Sequence, residues 1–414
     1  MANLITVTET AKIIGVSIDT IRRWEKKGLI RGQRNNLNYR VFNLAEVKRV
    51  HDKFFGEPEI NNYRILKTNK KTGYHVLELF AGAGGTALGF SNSGLNHTML
   101  NDFDPDSINT IRKNKPLWNT VSADIRDINF KKFKGIDIVE GGFPCQAFSY
   151  AGKKLGFKDI RGTMFFEFAR CVKEVQPKIF MGENVRGLLK HDGGKTLDTI
   201  LRLLYKLGYN IKFRVIKSQY HDVPQKRERL VIFGTKKELR LPIFFPREKN
   251  YIVTVKEALA DCPKSIGQEY TSRKKEIMGH VKPGGYWKEL PVNLQKEYMG
   301  SSFYMGGGKT GMARRLSWDE PSLTLTCNPA QKQTERCHPK ETRPLTVREY
   351  ARIQTFPDNW GFTGTVSSQY RQIGNALPVN LAYHLGKCLI AMLEKKPDLR
   401  AMEIANETPK RKLS

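Results

Sequence analysis

One cysteine in this chain is set for covalent chemistry by the residues around it. Gly141-Gly142-Phe143-Pro144-Cys145-Gln146-Ala147-Phe148-Ser149 follows the apolar run Ile136-Asp137-Ile138-Val139. A strand that breaks into a Gly-Gly-Phe-Pro turn delivers Cys145 to the end of a sheet, where open α/β folds place their ligands. A thiolate there is a nucleophile, and the preceding proline restricts how the chain presents it. Cysteine is often a buried, inert core residue, but this one precedes Gln146, Ser149 and a Gly/Lys-rich loop, which is poor core material. Two further groups fall at strand ends. Pro177-Lys178-Ile179-Phe180-Met181 reads as a strand ending at Gly182-Glu183-Asn184-Val185. Gln225-Lys226-Arg227-Glu228-Arg229 enters another, Leu230 to Phe233. The short connection back to the run Asn210 to Ile216 makes those two strands antiparallel neighbours. A thiol, a carboxyl and two guanidiniums then converge on one rim.

The elements that position these groups read as an α/β domain. Val76-Leu77-Glu78-Leu79-Phe80 is a strand, Ala81-Gly82-Ala83-Gly84-Gly85 a glycine-rich turn, and Thr86 to Asn92 a helix. Strand, glycine turn and helix form a nucleotide-cofactor signature, in which backbone approaches the ligand closely. Met99-Leu100-Asn101-Asp102 is a second strand, ending in an acid roughly 20 residues after the glycines, the spacing of a ribose-binding carboxylate. Asp124 follows Val121-Ser122-Ala123 at another strand end. Both acids could equally cap helices. Met164 to Val175 and Leu197 to Leu207 read as helices, as do Pro344 to Ile353 and Asn380 to Leu393.

Composition narrows the partner. The chain has 414 residues, with 70 Lys+Arg against 41 Asp+Glu and a formal charge of +29, which calls for a polyanion. No apolar run spans a bilayer and no signal peptide is expected, so nucleic acid is preferred over membrane. Six cysteines lie far apart with no Cys-x-x-Cys pair, which points to no metal site, no disulfide framework and a cytoplasmic location with the nucleoid.

Residues 6 to 50 read as a small helix-turn-helix. One helix ends at Gly15; Ser17 caps a second, Ile18 to Lys27, which carries Arg22 and Arg23 toward a DNA groove. Arg31 to Arg40 supplies a basic wing. The stretch resembles the winged helix-turn-helix of MerR-type regulators and excisionases; the alternative is a helical cap without its own DNA role. Residues 51 to 73 are polar and read as connecting sequence. From 239 to 342, prolines, glycines and isolated basic residues such as Arg314 and Arg315 suggest an irregular, basic surface that reads DNA, without helical period.

Together these motifs resemble the DNA (cytosine-5)-methyltransferase family. The resemblance rests on Phe80-Ala81-Gly82-Ala83-Gly84-Gly85, Gly142-Phe143-Pro144-Cys145-Gln146, Glu183-Asn184-Val185, Gln225-Lys226-Arg227-Glu228-Arg229, Arg343 to Glu349 and Gly374-Asn375-Ala376, in family order. It implies a Rossmann-like domain that binds S-adenosylmethionine, interrupted by an irregular target-recognition domain. The expected divisions are a winged helix-turn-helix (1–66), a linker (67–73), a catalytic domain in two parts (74–238 and 343–395) around target recognition (239–342), and a basic tail (396–414). The resemblance implies cofactor contacts from Phe80, Gly82, Gly84, Gly85, Asp102, Phe103, Asp124, Ile125, Asn375 and Ala376, although many members have Glu and Trp where this chain has Asp102 and Phe103. It makes Cys145 the nucleophile, Glu183 (beside Asn184) the carboxyl at the cytosine ring and Arg229 the guanidinium at the base, supported by Arg227. The loop from Gln146 to Phe157, with Ser149, would close over DNA about Gly152 and Gly156. A tRNA-methylating enzyme and a transcription regulator with an inactive domain are the rival readings. The resemblance leaves open the target sequence, a partner endonuclease and the role of residues 1–66, including possible control of the protein's own promoter.

Overall fold

The computed structural model describes residues 4–35, 37–55, 61–144 and 163–405, and the chain divides into two compact units between Asn62 and Tyr63. The first unit runs β1 (Leu4–Thr6), α1 (Val7–Ile14), α2 (Ile18–Lys26), β2 (Gly32–Arg34), β3 (Arg40–Asn43) and α3 (Leu44–Phe55). Thr6 and Glu9 form a reciprocal capping box at the start of α1; Gly15 in the left-handed region ends it, and Ser17 caps α2. The strands pair antiparallel in the order β1-β3-β2, and Ile14, Ile21, Ile30, Phe42 and Val47 fill the small core. Helix α3 occupies the start of the stretch read as connecting sequence.

The second unit is a seven-stranded sheet with helices on both faces. Its elements are β4 (His75–Leu79), α4 (Gly85–Ser93), β5 (Asn96–Asp102), α5 (Pro105–Asn114), β6 (Thr120–Ser122), β7 (Ile138–Gly141), α6 (Met164–Val175), β8 (Ile179–Val185), α7 (Lys195–Lys206), β9 (Tyr209–Lys217), β10 (Gln225–Lys226) and β11 (Glu228–Lys236). The order is β6-β5-β4-β7-β8-β11-β9; β11 alone runs against its neighbours, as the short β9–β11 connection requires. Strands β4, β7 and β8 bury apolar side chains on both faces, as strands covered by helices on both sides must, with Glu78 and Glu140 the buried exceptions on β4 and β7.

After β12 (Phe244–Pro246) and α8 (Val255–Leu259) come α9 (Ser272–Gly279), α10 (Val292–Met299), β13 (Ser322–Leu323), α11 (Val347–Ile353), α12 (Val366–Asn375), α13 (Val379–Glu394) and β14 (Met402–Ile404). Helix α13 lies along α4, where a side chain on Gly89 would collide with Ala382 and the Val379 carbonyl. The stretch 366–394 is apolar enough to cross a bilayer by composition, but it is two largely buried core helices, broken at Pro378.

Four expectations about organisation change. Residues 67–73 do not form a free linker: Thr68 and Thr72 N–H groups donate to the Asn92 and Gly94 carbonyls, and just upstream Asn380 holds Arg64 O and Leu66 N–H. The segment from 239 begins inside the catalytic core, because Phe244 and Phe245 pack with α13, and α8 packs with α11. Only from about Tyr270 to Cys337 does it form a cluster of its own, from Ile277, Met278, Leu294, Met299 and Met312. That cluster is built on α9 and α10, so helices are present where none were expected. The tail also contributes structure, since β14 pairs antiparallel with β12.

Candidate active site

Register across the sheet assembles the rim. Strands β8 and β11 pair with Glu183 opposite Val231 and Val185 opposite Arg229, which puts Glu183 and Arg229 on one face. Arg229 Nε lies 2.6 Å from Glu183 Oε1, an ion-pair contact. Burial pushes the Arg229 guanidinium below its ordinary value, and the Glu183 carboxylate opposes that shift. Asn184 secures the neighbouring turn: its Nδ2 donates to Phe143 O at 2.9 Å, and its Oδ1 accepts from Val185 N–H at 2.8 Å. A Cβ on Gly142 would stand 3.2 Å from Glu183 Oε2, so the turn runs directly against the carboxyl. Cys145, Gln146 and Ser149 lie outside the described residues, immediately beyond Pro144.

Arg227 is fully buried. Its guanidinium donates to Leu325 O at 3.2 Å, Gly374 O at 3.0 Å and Asn375 O at 3.4 Å. Burial, then repulsion from Arg229, drives its proton affinity well down. It ties the rim to the α12–α13 turn and contacts no open space, which makes it a positioning group.

On the other side of the turn is a cavity of about 230 Å³ lined by Phe80, Asn101, Phe103, Ala123, Asp124, Ile125, Pro144 and Met164. The sequence singled out four of these; Asn101, Ala123, Pro144 and Met164 were missed as cavity walls. Asn101 had a recognisable signal, a polar residue on a buried strand; its amide fastens the Val121 and Ala123 carbonyls. Phe80 adopts a left-handed backbone, φ 57°, an uncommon conformation that turns the chain sharply into the glycine loop. Gly84, at φ 82°, caps α4 where a larger residue would be strained. Gly85 packs on the α12–α13 turn: an added Cβ would stand 2.5 Å from Leu377 O and 3.0 Å from the Ala376 Cβ.

These residues suit S-adenosylmethionine. Phe103 is 79% exposed at the mouth, a ring free to stack on a purine. Asp102 accepts from Gly82 N–H at 2.8 Å and Asp104 N–H at 2.9 Å; its remaining lone pairs suit ribose hydroxyls. Burial raises the Asp102 proton affinity, against those two hydrogen bonds. Asp124 caps a short helical turn, and its hydrogen bonds with the Arg126 guanidinium hold it at about 2. The capping alternative therefore applies to Asp124, whereas Asp102 fixes the glycine turn and Asp104 caps α5. Asn375 Oδ1 accepts from the Cys327 thiol at 3.1 Å, and neither Asn375 nor Ala376 lines the cavity.

Behind the rim the sheet holds carboxyls that the sequence did not flag. Glu78 on β4 and Glu140 on β7 stand side by side in register, both buried. Burial, then repulsion from Glu78 and Glu183, raises Glu140 well above the carboxylate range; burial lifts Glu78 to about 8. His97, buried and pushed down to about 4, places Nδ1 3.6 Å from Glu78 Oε2.

The expected DNA contacts separate. Arg22 and Arg23 are exposed on α2, with Arg22 held to Asp19 at 3.0 Å. Arg314 stacks its guanidinium over Tyr286, 5.8 Å from the ring centre. Arg315 is 4% exposed and donates to Met278 O, His338 O and Thr342 Oγ1; it is removed from the DNA-reading set because its charge is internal.

A seven-stranded sheet with one reversed strand, a glycine turn beside a cavity and a rim carboxyl–guanidinium pair define a Rossmann-like methyltransferase. The chain belongs to the C-5 cytosine-specific DNA methylase family, whose model matches residues 74–391, and residues 6–42 match the MerR family regulatory protein model. It is 53% identical over 402 residues to the Type II methyltransferase M.Eco47II of Escherichia coli, covering 94% of this chain and 96% of that one. It is 49% identical over 339 residues to M.Sau96I of Staphylococcus aureus, covering 80% and 79%. Among solved structures, a DNA modification methyltransferase encoded within an E. coli prophage superposes with TM-score 0.58 at 26% identity, over 78% of this chain and 100% of that one. The protein is a DNA (cytosine-5-)-methyltransferase.

Proposed function

We propose that the protein is the modification enzyme of a restriction–modification system, acting in the cytoplasm on a flipped cytosine in duplex DNA through a covalent Cys145–C6 adduct. One observation carries this reading: the Gly142-Phe143-Pro144 turn joins both halves of the site. Gly142 abuts Glu183, Pro144 walls the cavity, and Cys145 is the next residue. C5 of cytosine is a weak nucleophile; a thiolate adding to C6 makes the ring enamine-like. A protonated Glu183 steadies the charge that develops at N3, and Arg229 holds O2 and orients the ring. Phe80, Phe103, Asp124 and Ile125 would hold the adenine and Asp102 the ribose of S-adenosylmethionine, with the Gly82–Gly85 turn beside them and Asn375 and Ala376 behind it. Bound there, S-adenosylmethionine supplies the electrophilic methyl for C5. Loss of the C5 proton to a base then allows the Cys145 sulfur to leave C6. The base must leave the stack for this, at a cost of a few kcal/mol.

The test is methyl transfer to duplex DNA and to tRNA, with product mapped at single bases. We expect 5-methylcytosine in DNA, no transfer by Cys145→Ser with cofactor binding retained, and an adduct with 5-fluorocytosine duplex that survives denaturation. Substantial transfer by Cys145→Ser overturns the nucleophile; transfer to tRNA alone, or to nothing, revives the rival readings.

The MerR-like unit supports a second activity, binding the gene's own promoter. Arg22→Ala with Arg23→Ala should release promoter DNA and raise expression while methylation in vitro is kept; unchanged binding and expression would refute it.

A further inference from the structure

The segment from Leu325 to Arg336 is bonded to α11 and the last residue of α12, in the catalytic unit, at one end and to the helical target-recognition cluster at the other. Thr326 N–H donates to Tyr350 OH at 3.1 Å, that hydroxyl donates to Thr326 O at 2.8 Å, and the Cys327 thiol reaches Asn375. The loop then closes on itself. Thr326 and Thr334 hydroxyls are 3.1 Å apart, Ala330 N–H donates to Asn328 Oδ1 at 2.8 Å, and Arg336 N–H donates to Pro329 O at 2.9 Å. Lysines pin its outer edge: Lys274 Nζ donates to Ala330 O at 2.7 Å and Lys332 Nζ to Met299 O at 3.0 Å. Glu335 N–H donates to Gly311 O at 2.9 Å, joining it to the loop that carries exposed Tyr304 and Met305.

With the backbone fixed, Lys332 turned inward and the exposed Cys327 thiol engaged with Asn375, the exposed side chains left to project from this loop are Gln331 and Gln333. Gln331 holds only a long 3.4 Å contact from Thr334 Oγ1, and the Gln333 amide has no hydrogen bond to a described residue. A glutamine amide offers an acceptor and donors in one plane, the pattern that pairs with a purine edge in the major groove. A loop already ordered loses little conformational freedom when it docks.

We propose that Gln331 and Gln333 are specificity-determining residues that read base edges of the target duplex next to the methylated cytosine. This rests on the methyltransferase reading above. The bonds from Thr326 and Cys327 to the catalytic end fix the spacing between the amides and the reacting base, so recognition and chemistry share one rigid segment.

The experiment uses the full chain, S-adenosylmethionine and a random-sequence duplex library, with every 5-methylcytosine sequenced. For Gln331→Ala, Gln333→Ala and the double variant, discrimination at one or two neighbouring base pairs should fall by about 10-fold or more, the scale of a lost bidentate contact. Cofactor binding and melting temperature should stay at wild-type values. An unchanged preference overturns the proposal, whether the rate is kept or lowered uniformly across sequences. Absence of 5-methylcytosine with the wild-type chain on any sequence would instead defeat the underlying functional reading.

Discussion

The sheet and the segment between Tyr270 and Cys337 satisfy their backbones in different ways. In the sheet, carbonyls and amides pair strand to strand, and side chains at the strand ends are left for the site. Around the irregular segment, arginines take the place of a ladder. Arg315 caps the carbonyls of Met278 and His338, Arg336 that of Thr324, and Arg227 those of Leu325 and Gly374. Arg352 does the same for Ala258 and Asp261, while also pairing with Asp358. A share of the chain's positive charge is therefore structural, and a basic stretch in the sequence overcounts its contacts with DNA.

Arg315→Ala should break that contrast most severely. The variant removes buried hydrogen bonds from a charged donor to His338 O, Met278 O and Thr342 Oγ1, each worth about 1.5–3 kcal/mol, so the midpoint of urea unfolding should fall clearly, whereas Arg314→Ala should stay within about 1 kcal/mol. Equal effects from the two would mean that burial does not divide structural from DNA-facing arginines. A smaller effect tests the sheet. Glu78 keeps its proton in the fold to about 8 but loses it near 4.5 when unfolded. The folded state thus binds more protons between those values, and stability falls as pH rises through that window and levels off above it. Glu78→Gln should flatten this part of the melting temperature–pH curve, gaining over wild type at pH 8 relative to pH 5. A curve of unchanged slope would show that Glu78 is ionised in the folded protein.

The rim was legible because strand ends carry their own marks: a glycine turn after Phe80, Gly-Phe-Pro before Cys145, and an acid or base where apolar alternation stops. Local sequence fixes such features. Helices α9 and α10 were not legible, because each spans only eight residues and shows little period. Nor were the partners of residues 63–73, whose polar composition resembles a linker but whose backbone is held by Asn380, more than 300 positions away. Arg315 was misread for the same reason. A charge is visible in the sequence, but its burial depends on the three distant groups that accept from it.

Asn380 and the α13–α4 contact also bear on how the enzyme is made. Helix α4 and the helix packed along it, α13, are far apart in the sequence, so their contacts wait until the intervening chain has been made. Nascent chains carry the glycine turn long before its backing from Ala376 and Leu377 has been made. A ribosome that stops before α13 leaves a fragment without that support. The glycine turn therefore gains its packing only once α13 has been made.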